Sequence, residues 1–114
     1  MEKIVRQTML YDFYGDLLTQ HQRDIYEEVV LNDTGYSEIA QREGISRQSV
    51  HDLIRRCDRQ LEEYEASLHL LERFLKIREQ IQQLLTESET ALKSDAKMDA
   101  EEVHRLASQI LEEL

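Results

Sequence analysis

Proline is absent from the 114 residues, glycine occurs three times, and aromatic side chains make up only 6% of the chain. An all-β sandwich depends on such turn-forming and aromatic residues, so it is excluded, and long uninterrupted helices are expected instead. Cysteine occurs once, at Cys57. That rules out an intramolecular disulfide and a cysteine-paired zinc knuckle, and it makes a reducing compartment the expected one. No window approaches 18 consecutive apolar residues, and the opening MEKIVRQTML runs into an amphipathic pattern without the apolar segment of a signal peptide. The expectation is a cytoplasmic chain with no signal peptide and no membrane span. Positive charge is scarce too: 14 Lys and Arg stand against 24 Asp and Glu, a net charge of −10. This is the wrong sign for indiscriminate attraction to a polyanion, so any nucleic-acid contact must come from a local patch.

The length leaves room for one compact domain and an appendage. Charge is distributed unevenly along it. Residues 1–35 hold three basic and seven acidic side chains, residues 36–59 hold five and four, and residues 60–114 hold six and thirteen. The middle segment alone is net positive, and within it Arg47, Arg55, Arg56 and Arg59 form the densest arginine cluster, set against Asp52 and Asp58.

Apolar periodicity through Ile4, Met9, Leu10, Phe13, Tyr14 and Leu17 predicts a first helix over 3–14, interrupted at Gly15. A second helix is expected to open at Thr19, with Gln22 completing a capping box, and to bury Ile25, Val29 and Val30. Asn32-Asp33-Thr34-Gly35 supplies turn chemistry, and a short third helix follows to about residue 43. From Ser46 to about Leu85 no Gly or Pro intervenes, which predicts one long helix or two nearly continuous ones. Leu61, Tyr64, Leu68, Leu71 and Leu75 form one heptad seam there, and Leu70, Phe74, Ile77, Ile81 and Leu84 a second. The Ser/Thr-rich stretch from Thr86 to Lys97 reads as a fraying end and loop. Asp99 and Glu102 form a further capping-box pattern before a short terminal helix carrying Val103, Leu106, Ile110 and Leu114.

Between Tyr36 and Leu53 the sequence YSEIAQREGISRQSVHDL brings several requirements of a helix-turn-helix together. Two short helices crossing steeply need a small residue at the crossing, a glycine in the turn and four apolar sites. Ala40 is the small residue and Gly44 the turn; Ile39, Ile45, Val50 and Leu53 fill the apolar sites, and Ser46 caps the second helix. Left outward are Arg47, Gln48, Ser49, His51, Asp52, Arg55 and Arg56, side chains that read base edges or phosphates. Arg47, Gln48 and Ser49 in the first turn are expected to specify sequence, and Arg55 and Arg56 to position the helix on phosphate. A helical hairpin with no nucleic-acid role would satisfy the same packing requirements.

Three segments, LYDFYGDLLTQHQR, YSEIAQREGISRQSVHDLIRR and LEEYEASLHL, resemble the YlxM family of small bacterial helix-turn-helix proteins over roughly residues 9–70. The middle segment also resembles region 4 of the sigma-70 factors, in Thr19, Gln22 and Arg23 and in the SEIA…GISRQSV core. The resemblance implies an all-α, sigma-70 region 4-like bundle with a long C-terminal helix and a short terminal helix. Genes of the resembled family lie beside those of the signal recognition particle GTPase, which implies a role in that pathway. Nothing in the chain resembles the sigma domain that binds polymerase core.

Other candidates carry less chemistry. His21, His51, His69 and His104 offer no i, i+4 pair, so no metal site is expected. Cys57 lies on the apolar stripe as a buried thiol. Glu62, Glu63 and Glu65 lie on a helical surface without a nucleophile or phosphate-binding loop nearby, and no Walker, dinucleotide or Ser/His/Asp pattern is present. Tyr11, Phe13 and Tyr14 are expected in the core, with base stacking as the alternative. The expectation is therefore a non-enzymatic transcription regulator without a cofactor. Residues 1–60 would form the DNA-binding domain and 61–114 the packing and dimerisation part of a homodimer on double-stranded DNA. The alternative is an accessory factor that contacts the signal recognition particle GTPase or its RNA and keeps the helix-turn-helix as scaffold.

Overall fold

The computed structural model describes residues 1–94 and 97–114. Among them are six α-helices and no strand: α1 (Lys3–Tyr14), α2 (Gln20–Tyr26), α3 (Tyr36–Glu43), α4 (Arg47–Leu68), α5 (Leu70–Ser94) and α6 (Ala100–Glu113). The all-α expectation holds. The helices divide into two compact units, Met1–His69 and Leu70–Leu114. The division does not fall at 60/61, because α4 runs unbroken through that point and stops only at His69, whose φ of 57° is left-handed. The seam read across residues 61–75 is thus shared between two helices.

In the first unit α4 is the central element. Val50, Ile54, Cys57 and Leu61 step by 4, 3 and 4 along one buried face, and α1, α2 and α3 all pack on this helix. Each such apolar side chain withdrawn from water contributes roughly 1.5–3 kcal/mol. From α1 come Leu10, Tyr11 and Tyr14, while Phe13 stays 38% exposed. Tyr11 and Tyr14 lie in the core as expected and Phe13 does not; Tyr11 stacks on Tyr26 at 5.4 Å between ring centroids. A Cβ at Gly15 would lie 2.9 Å from the Tyr11 ring, which is why the chain carries no side chain there. After the 3₁₀ turn Gly15–Leu17, the Thr19–Gln22 capping box opens α2 as expected: Gln22 N–H donates to Thr19 Oγ1 at 3.2 Å and Thr19 N–H to Gln22 Oε1 at 2.9 Å. Helix α2 then widens into a π-helical turn, Glu27–Leu31, closed by Asn32 N–H on the Glu27 carbonyl. Widening changes the phase of the helix, so Ile25 and Tyr26 are buried whereas Val29 and Val30 are only half-buried.

In the second unit α5 and α6 form an antiparallel hairpin. Lys76 Nζ lies 3.7 Å from a Glu113 carboxylate oxygen, and Gln80 Nε2 donates to Gln109 Oε1 at 3.3 Å. Leu106 is fully buried, while Val103 and Ile110 are half-buried and Leu114 is exposed. Helix α5 continues to Ser94 where a loop from Thr86 was expected. The hydroxyls of Ser88, Thr90 and Ser94 each donate back to a carbonyl three or four residues earlier, at 2.7–3.0 Å, so these polar side chains are satisfied within the helix. Asp95 and Ala96, also in that expected loop, lie outside the described residues. At the start of α6, Asp99 accepts from Glu101 N–H at 3.0 Å, but the Glu102 carboxylate pairs with Arg105 instead of closing a capping box.

Candidate nucleic-acid interface

The turn between α3 and α4 is built from backbone chemistry. Gly44 takes φ 69°, a left-handed conformation that costs glycine least, and Ile45 N–H donates back to the Ala40 carbonyl at 3.0 Å. Ser46 Oγ accepts from Ser49 N–H at 3.0 Å and caps α4. Ile39, Ala40 and Val50 are buried as the motif requires. Two of the expected apolar sites are not filled as read. Ile45 is 39% exposed, because it sits in the connection rather than on either helix's buried face. Leu53 is half-buried and Ile54 takes the core position, since the stripe Val50–Ile54 leaves residue 53 about 100° away around the helix.

All seven candidate contact residues, Arg47, Gln48, Ser49, His51, Asp52, Arg55 and Arg56, are exposed. They do not stand alike. Gln48, Asp52 and Arg55 continue with Arg59 in steps of 4, 3 and 4, two residues out of register with the buried stripe and so on the opposite face. Arg59 was counted in the arginine run but not among the contact residues, although the same step identifies it. The Ser49 hydroxyl lies 2.8 Å from that of Ser46 and belongs to the cap. The His51 ring packs on Tyr36 of α3 at 4.3 Å, bracing the two helices. Gln48 Nε2 donates to Asp52 Oδ1 at 3.0 Å.

Charge at this face is shaped by where the carboxylates are tied. Asp58 turns inward: Tyr26 Oη donates to it at 2.6 Å and Gln7 Nε2 at 3.0 Å. Burial first, and then the Asp58 carboxylate accepting its proton, push the Tyr26 phenol above its ordinary value. Cys57, also buried, is pushed up to about 11 by desolvation and then by Asp58, so it is a neutral thiol at neutral pH. Glu65 is not on the surface as expected. It continues the buried stripe one turn beyond Leu61 and accepts from Tyr14 Oη at 2.6 Å. Among the arginines of this unit, Arg6 pairs with Glu62 at 2.6 Å, Arg23 with Asp16 at 3.1 Å, and Arg42 makes a two-pronged pair with Glu28. Among the described residues no carboxylate lies within ion-pair distance of Arg47, Arg55, Arg56 or Arg59.

A family described as "Putative helix-turn-helix protein, YlxM / p13 like" matches residues 1–102. The chain belongs to this family, UPF0122. Among UPF0122 relatives, a protein of Shouchella clausii is 42% identical over 100 residues, covering 88% of each chain. One of Symbiobacterium thermophilum is 40% identical over 88 residues, 75% of this chain and 82% of the relative. One of Clostridium botulinum is 41% identical over 87 residues, 76% and 80%. The UPF0122 match spans α1 to the opening of α6, with the α3–α4 motif inside it. Membership of a helix-turn-helix family supports a DNA-binding regulatory role and suggests a non-enzyme. Among the described residues, no helix is long and apolar enough to cross a membrane.

Proposed function

We propose that the chain is a non-enzymatic, sequence-specific DNA-binding regulator of the cytoplasm, with α4 entering the major groove by its N-terminal turns. One observation carries the reading. Within Met1–His69 the three arginines outside α4 are each paired to a carboxylate, whereas the four inside it present unpaired guanidinium groups on an exposed surface. Arg47 and Gln48 contact bases and Arg55, Arg56 and Arg59 contact phosphates, because only the first turns of a recognition helix reach the floor of the groove. A homodimer belongs to the proposal: palindromic half-sites require two modules, and exposed Ile81, Leu85 and Leu111 offer apolar surface on the hairpin. No cofactor is needed for this activity.

The test is capture of genomic fragments near physiological salt, alongside a variant in which Arg47, Gln48, Arg55 and Arg56 are all Ala. A sequence motif enriched by the wild type and lost in the variant is expected. Equal capture by both proteins would refute the assignment. A second reading is a protein or RNA accessory factor of the signal recognition particle pathway, whose protein-binding form is favoured by the net charge of −10. It predicts that substitutions in residues 61–84 impair partner capture while the arginine variants do not.

A further inference from the structure

Among the described residues, the Gln48–Asp52 pair is the one polar contact on the outward face of α4 that joins two candidate base-reading side chains. Gln48 donates one amide hydrogen of Nε2 to Asp52 Oδ1 at 3.0 Å. An unrestrained glutamine amide presents its oxygen and nitrogen to a base in either order; this bond biases the order. The nitrogen faces toward Asp52, and the Oε1 acceptor and the second Nε2 hydrogen are left for a partner. An acceptor beside a donor is complementary to the N6 amino group and N7 of adenine, and to no other base edge in the major groove.

Asp52 adds a second constraint. It is exposed and, among the described residues, has no cation within ion-pair distance. A carboxylate carried into a groove walled by phosphates is repelled unless an amino group meets it; adenine N6 and cytosine N4 both present one there, and with the adenine engaged by Gln48 the cytosine N4, the usual partner of Asp, is the group left for Asp52. Four residues of helix span about 6 Å, and successive base pairs are about 3.4 Å apart, so the amino group lies one or two base steps from the adenine. Resting on the DNA-binding reading above, we infer that Gln48 reads adenine while Asp52 biases its amide and accepts from a cytosine one or two steps away. Asp52 is thereby both a positioning residue for Gln48 and a specificity determinant of its own.

The experiment is selection from a randomised duplex pool by the full chain, its Gln48→Ala variant and its Asp52→Ala variant, with thermal melting to confirm that both exposed substitutions leave the fold intact. The wild-type motif is expected to contain adenine at one position and cytosine within two steps. Gln48→Ala should lower discrimination at the adenine alone, by roughly ten- to a hundredfold for one bidentate pair. Asp52→Ala should relax the cytosine and also weaken the adenine preference, which a merely structural role would not do. A wild-type motif in which Gln48→Ala changes no position, or changes one that is not adenine, overturns the inference and leaves DNA binding standing. If no motif is selected and no duplex is retained, both the inference and the DNA-binding reading fall.

Discussion

Counterion release provides a quantitative check on which arginines touch phosphate. Each phosphate neutralised on duplex DNA contributes about −0.9 to the slope of log K against log salt. If Arg55, Arg56 and Arg59 each contact one phosphate, the wild-type slope from these residues is about −2.7, and raising salt from about 50 to about 200 mM weakens binding roughly 40-fold. Arg55→Ala and Arg56→Ala should each flatten the slope by about 0.9, so each variant loses about 3.5-fold less affinity than the wild type over that range. Arg42→Ala is the internal control. Its guanidinium is held by Glu28 in a two-pronged pair that also keeps the Glu28 carboxyl below its ordinary value, so no counterion waits to be released there. Fluorescence anisotropy of a labelled duplex, titrated at four salt concentrations, measures all four slopes. A slope altered as much by Arg42→Ala as by Arg55→Ala, or unchanged in all three variants, would refute the assignment of phosphate contacts from intramolecular pairing.

Two further outcomes test the scaffold that holds α4. Tyr26→Phe removes the fully buried hydroxyl that donates to Asp58 at 2.6 Å; loss of a hydrogen bond to a charged group costs about 1.5–3 kcal/mol, and thermal melting should fall by roughly 10 °C, whereas an unchanged melting temperature would show that the bond stabilises nothing. Cys57, with a thiol raised by burial from 9.0 to about 11, contributes stability that is fully present below pH 9 and is lost as pH rises through 11, by about 2–3 kcal/mol; Cys57→Ala should flatten that part of the denaturant-measured stability curve, and an identical alkaline slope in both proteins would contradict the linkage.

What was legible in the sequence was what depends on near neighbours. Thr19 and Gln22, three residues apart, make a capping box wherever a helix begins at that point. Gly44 and Ser46 define a turn and a cap from their own chemistry. Long-range partners were not legible. Asp58 reads as a surface charge cancelling part of the arginine run until Tyr26 and Gln7, 32 and 51 residues away in the chain, are brought against it. Glu65 likewise reads as solvated until Tyr14 meets it across the α1–α4 contact. Helix phase was the other obstacle. A one-residue difference separates Leu53 from Ile54, and local periodicity cannot decide between two adjacent apolar residues without the packing partners. The hydroxyls between Ser88 and Ser94 suggested a loop by composition, yet each finds an acceptor one turn back and the helix persists.

The acidic composition and the DNA-binding reading are reconciled by distance and direction rather than by count. At physiological ionic strength the Debye length is about 8 Å, so a phosphate at the groove responds to the side chains of α4 and their immediate neighbours far more than to the net charge of −10. Within the run from Ser46 to Arg59 two carboxylates oppose four guanidinium groups, an arrangement that looks half-cancelled on paper. Asp58 is committed to Tyr26 and Gln7 on the packed side of α4. Only Asp52 remains on the outward face, and it is engaged with Gln48. On the DNA-binding reading, the groove meets the Ser46–Arg59 run as a mainly cationic surface with one outward carboxylate at a defined place. Such a surface has few charges with which to hold arbitrary DNA, and the contribution of base contacts to binding is correspondingly large. On the DNA-binding reading, sequence preference in a protein of this charge is a condition of stable binding and not a refinement added to a strong non-specific affinity.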